Sequence, residues 1–94
     1  NLIWNLGSFS DATVDYSGSG PFGLSSGDYT FNVISSTGNG TGGQIIGDVS
    51  SFRRLNSVVS VVDGGSGHEV GDVLTLEMVG ANWSQDPRIE VTAL

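Results

Sequence analysis

Glycine decides what this chain can become. Fifteen glycines are spread over 94 residues and interrupt nearly every segment in which a helix would start. Each glycine in a helix interior costs about 1 kcal/mol relative to alanine, so no long amphipathic helix is expected. The longest glycine-free piece, 48–63, is dominated by serine and valine. Small and β-branched residues suit a pleated surface. Short strands between glycine-rich turns predict an all-β fold, a small sandwich or a barrel-like arrangement of antiparallel sheets.

The stretch 58–76 is the most explicit. Val58-Val59-Ser60-Val61-Val62 runs into Asp63-Gly64-Gly65-Ser66-Gly67-His68-Glu69-Val70-Gly71-Asp72, and Val73 to Val79 then alternates. Leu74, Leu76 and Met78 fall on one face, Thr75 and Glu77 on the other. In the turn, Val70 is expected to plug the core and Gly71 to adopt a backbone closed to other residues. Asp72 is expected to accept loop N–H groups.

Alternation predicts three further strands, a half-buried 11–16 (Ala12, Val14 and Tyr16 on one face), 29–34 (Tyr29, Phe31, Val33) and 88–94 (Ile89, Val91, Ala93); the short apolar run 44–49, interrupted by Gly47, reads as a fourth with a bulge. Residues 35–43 read as a polar connection and 50–56 as a turn. Leu2 to Leu6 reads as an edge strand or a docking arm. The expected core is Phe31, Val59, Val61, Leu74, Leu76, Met78, Ile89 and Val91. Gly18-Ser19-Gly20 and Gly65-Ser66-Gly67 each precede a Gly-Asp and an alternating strand, an echo that suggests two related strand–loop–strand units.

Composition narrows function. Length sets one domain over 1–94 with a thin core, since a chain this short buries roughly 60–70% of its unfolded surface. No cysteine means no disulfide staple. No lysine removes Schiff-base chemistry and the P-loop lysine. A net charge of −7 repels nucleic acid and anionic membranes, so neither is an expected partner. No apolar run approaches the ~20 residues that span a bilayer. The chain opens on Asn1 without a basic-then-apolar leader, and reads as a piece of something longer.

Candidate chemistry is sparse. A serine–histidine–acid triad has only His68 to draw on, and no nucleophile elbow accompanies it, so no enzymatic activity is expected. Zinc wants three or four His, Cys or acidic ligands. Asp63, Glu69 and Asp72 bracket one loop and are hard oxygen ligands, making them weak calcium candidates; stabilising the turn is the plainer role. No cofactor is expected. Trp4 and Trp83 are the candidates for ligand or interface contact, because aromatic rings stack on sugars and anchor interfaces; filling a thin core is the alternative.

From Tyr29 onward the pieces fall in a definite order. Gly40-Thr41-Gly42-Gly43 is followed by Gln44 to Val49, Asn56 to Val62, Gly64 to Asp72, Val73 to Val79 and Ile89 to Thr92. This order resembles a module of tailed-bacteriophage structural proteins of the tail-fibre and baseplate type, whose turn reads Gly-Gly-Ser-Gly-Tyr-x-Val-Gly-Asp. His68 stands where that pattern has tyrosine. Residues 29–94 carry the resemblance; 1–28 are N-terminal strands or an arm that it does not cover. The resemblance implies a non-enzymatic virion protein, extracellular as part of the particle. It implies self-association, often as a trimer, with other virion proteins and a host-surface glycan as further partners. The alternative expectation is a small extracellular carbohydrate-binding or adhesin module.

Overall fold

A computed structural model describes residues 7–94. The expectations for Leu2 to Leu6 and Trp4 lie outside the described residues. Six strands follow one another: β1 (Asp11–Tyr16), β2 (Gly27–Ser36), β3 (Gln44–Val49), β4 (Leu55–Asp63), β5 (Val73–Met78) and β6 (Arg88–Ala93). They form one sheet in the order β1-β6-β5-β2-β3-β4, antiparallel throughout. The sheet curls until its edges β1 and β4 lie side by side, giving a nearly closed barrel.

Backbone bonds fasten the seam at both ends. The Leu55 N–H donates to the Ser17 carbonyl at 2.9 Å, and the Phe9 N–H to the Gly64 carbonyl at 3.1 Å. The interior is filled by Phe31, Ile45, Val49, Leu55, Leu74, Leu76, Ile89 and Val91, all fully buried. Burying one such side chain is worth about 1.5–3 kcal/mol, so this short list carries most of the stability. β5 and β6 match their expected alternation.

β4 departs from it. Its nine residues face the six of β3, and the pairing slips three times. Leu55, Ser57, Val58, Ser60, Val61 and Asp63 find partners; Asn56, Val59 and Val62 do not. The strand therefore reads in triplets, Leu-Asn-Ser, Val-Val-Ser, Val-Val-Asp, and its inward residues Leu55, Val58 and Val61 recur every third position. Each unpaired residue is a bulge that bends the strand. Val59, expected in the core, is instead 52% exposed, because it is itself the extra residue between the paired Val58 and Ser60. Gly47 sits opposite Val58 at one slip. A Cβ there would lie 2.5 Å from Leu55 and 3.1 Å from the Phe31 ring, so the bulged strand packs closely only over glycine.

The topology has internal two-fold symmetry. Exchanging β1, β2, β3 for β4, β5, β6 returns the same strand order reversed. The Gly-Ser-Gly echo obeys it. Ser19 forms an isolated bridge with Gln85 in the β5–β6 connection, and Ser66 forms one with Thr41 in the β2–β3 connection. Gly18 and Gly65 are both left-handed, at φ +71° and +64°. A Cβ at Gly18 would sit 2.6 Å from the Gln85 carbonyl oxygen, and one at Gly65 the same distance from that of Thr41. No side chain fits either place.

The triplet reading separates neighbouring valines. Val58→Ala is expected to lower unfolding free energy by about 1–2 kcal/mol, and Val59→Ala by less than about 0.5 kcal/mol, in urea titrations. The larger loss at Val59 would mean that β4 is an ordinary alternating strand.

Candidate functional site

Alternation along β1 places Tyr16 with Ala12 and Val14 toward the core. The pairing with β6 does otherwise. Val14 lies opposite Ile89 and Tyr16 opposite Arg88, which leaves Asp15 without a partner. The extra residue turns Tyr16 to the outer face, the side-chain re-aiming that bulges produce next to functional sites. Arg88 also lies opposite Thr75 of β5. Tyr16, Arg88 and Thr75 thus form one outward row across three strands. The Arg88 guanidinium stands over the Tyr16 ring, 4.6 Å from its centroid.

The β5–β6 connection completes the site. Its anchor is Trp83, which is buried, meets Phe31 edge-on at 5.5 Å and donates its indole N–H to the Met78 sulfur at 3.3 Å. The structure thus places Trp83 in the core, where it holds the loop that carries Gln85 and Asp86. The Ser19 N–H donates to the Gln85 carbonyl at 2.8 Å, and the Ser84 hydroxyl to the Ser19 carbonyl at 3.2 Å. The Tyr16 hydroxyl donates to the Gln85 side-chain oxygen. The result is an open groove of about 460 Å³ lined by Tyr16, Thr75, Gln85, Asp86 and Arg88. Such a volume is within the ~300–1,000 Å³ of small-molecule sites. Its lining offers donors from Arg88, Gln85 and Thr75 and an acceptor carboxylate from Asp86.

The turn between β4 and β5 holds the other residues singled out by sequence. Asp63 accepts the Gly65 N–H at 2.9 Å, and Asp72 accepts the Glu69 N–H at 3.0 Å, as expected for short acids in turns. Both carboxylates serve their own backbone. Among the described residues no group of three or more His, Cys, Asp or Glu side chains is placed to hold a metal ion. Gly71 is left-handed at φ +97°. Val70 does not plug the core: it is 61% exposed at the tip of the turn. The plug is His68, which is buried, donates from Nε2 to the Gly42 carbonyl at 2.8 Å and meets Phe9 edge-on at 5.5 Å. Its Nδ1 is buried without a hydrogen-bond partner among the described residues and lies against Gly40, which leaves no room for a Cβ.

The groove residues escaped the reading of the sequence because a one-residue bulge leaves no mark in composition. Alternation along β5 and β6 does set Thr75 and Arg88 on the outer face. The Asp72 bond gives a direct check of the turn. Asp72→Ala is expected to cost about 1–2 kcal/mol and to speed hydrogen exchange at the Glu69 amide, while leaving the Tyr16 and Arg88 resonances in place. Unchanged exchange at Glu69 would mean that the carboxylate does not hold the turn. No protein-family model, curated protein or solved structure matches this chain.

Proposed function

We propose that the chain is a non-enzymatic structural module of a tailed-bacteriophage virion, of tail-fibre or baseplate type, that acts by shape and self-association. Two things support this reading. The first is the order of strand, Gly-Gly-Ser-Gly, Val-Gly-Asp and alternating strand along 29–94. The second, which carries the self-association, is a pair of almost bare aromatic side chains. Phe22 is 94% and Phe52 78% exposed. They sit on two of the three connections at one end of the barrel, with Arg53 beside Phe52 in the chain and 5.3 Å from the centre of the Phe22 ring. Arg53 is held at φ +61°, a conformation few side chains adopt. A small protein with a thin core gains stability by covering such groups with another copy.

The recognition module is the second reading, and one observation favours it: the polar groove over Tyr16 and Arg88 is open and is held in shape from both sides. The two readings are compatible, since fibres end in surfaces that meet a host.

Light scattering after size-exclusion chromatography tests the first reading. The expected species is a multimer whose melting temperature rises with concentration, and Phe22→Ser with Phe52→Ser is expected to give a folded monomer whose lower melting temperature no longer depends on concentration. A monomer at every concentration would overturn it.

A further inference from the structure

The geometry points to a sugar site on the outer face of β1, β6 and β5, one that takes a saccharide unit bearing a carboxylate. The inference rests on the recognition reading and gives it a ligand class. Arg88 is its centre. The guanidinium carbon stands 4.6 Å from the centre of the Tyr16 ring, a cation–π contact that restrains its five N–H donors. Among the described residues it forms no ion pair with a carboxylate, although the chain carries ten acids. Gln85 is oriented too. Its oxygen is taken by the Tyr16 hydroxyl, so its amide N–H groups remain to donate. Asp86 supplies the acceptor and Thr75 a hydroxyl that does either.

A sugar ring needs this mixture, because each hydroxyl both donates and accepts. A neutral sugar would leave the fork of Arg88 without its best partner; a carboxylate receives two parallel N–H bonds from it. The site has a single guanidinium, and the whole chain carries −7, which favours a unit with one acid over a dense polyanion.

The fold supplies its own control. The two-fold places a second row on β4, β3 and β2, where Asp63 lies opposite Gln44 and Gln44 opposite Asn32. There Gln44 donates to the Asn32 side-chain oxygen at 2.9 Å and Asp63 to none, its carboxylate accepting the Gly65 N–H. That row satisfies itself and has neither ring nor cation. The architecture therefore does not require Tyr16 and Arg88 at the equivalent place.

Titrating the isotope-labelled chain with methyl glucuronide, methyl glucoside and acetate, read by amide and Arg side-chain NMR, tests the inference. Saturable shifts at Thr75, Gln85 and Arg88 are expected with the glucuronide in the millimolar range, with at least about tenfold weaker binding of the glucoside and of acetate. Arg88→Gln is expected to remove the preference for the acid, and its amide spectrum reports whether the fold is intact. Equal binding of the glucoside would overturn the acid preference and leave the recognition reading standing. Acetate binding as well as the glucuronide would reduce the site to an anion site without a sugar. No shift with either sugar, or shifts mapping elsewhere, would end both the inference and recognition through this groove.

Discussion

Side chains on a strand alternate between two faces, and every residue left out of the pairing reverses that alternation. The architecture depends on this rule being broken at chosen places. Closing a sheet of only six strands demands strong coiling, and closure comes with tilt and stagger between neighbours. β4 supplies the coil. Its extra residues Asn56, Val59 and Val62 lengthen its outer side, while Leu55, Val58 and Val61 still reach the core. A straight β4 would carry its end away from β1, and the bonds of Leu55 to Ser17 and of Phe9 to Gly64 would have nothing to close. The same rule explains the exposed Ile34, which is skipped in the pairing of β2 with β5. It also explains Tyr16.

The two halves then interlock. The loop after β1 docks through Ser19 onto the β5–β6 connection, and the loop after β4 docks through Ser66 onto the β2–β3 connection. Each half thus supplies the bridge that orders the other's connection, and neither half closes by itself. This is how a chain so rich in glycine is tolerated. Gly18, Gly65 and Gly47 stand where a Cβ would meet a carbonyl oxygen or a packed side chain. The entropy lost in ordering them is the condition for the close approach of the two halves.

Much of the fold was legible. Alternation locates β1, β5 and β6 nearly to the residue, and a short apolar run locates β3, because each buries one face. The Gly-Ser-Gly echo was legible as well, since identical tripeptides perform identical docking. Bulges were not. The triplets of β4 are visible in the sequence, yet a run of valines satisfies periods of two and three alike, and only the partner strand decides between them. Val59 is such a case; Val70 is outward for another reason, since it lies at the tip of the turn after β4, outside any strand. The groove fell to the same ambiguity, since Tyr16 changes face on the one unpaired residue Asp15. Trp83 stands out in the sequence as an aromatic ring, and it contributes to the groove as the anchor of the loop behind it.

The internal two-fold separates positions that close the barrel from positions that do not. If the barrel arose from two related halves, positions that serve closure should look alike in both. Gly18 and Gly65, Ser19 and Ser66, and the two seam bonds do look alike. Positions free of that duty should drift, and the outer rows have drifted in different directions. One has become a self-satisfied polar ladder of Gln44 and Asn32. The other has acquired a ring, a cation over it and an oriented amide, and a bulge to present them. A bulge bends the strand and leaves one residue outside the ladder, and β1 keeps this one next to Tyr16, beyond the last core contact of Val14 with Ile89. Ser17, next in the chain after Tyr16, accepts the seam bond from Leu55, so one extra residue serves both the closure of the barrel and the outward turn of the ring.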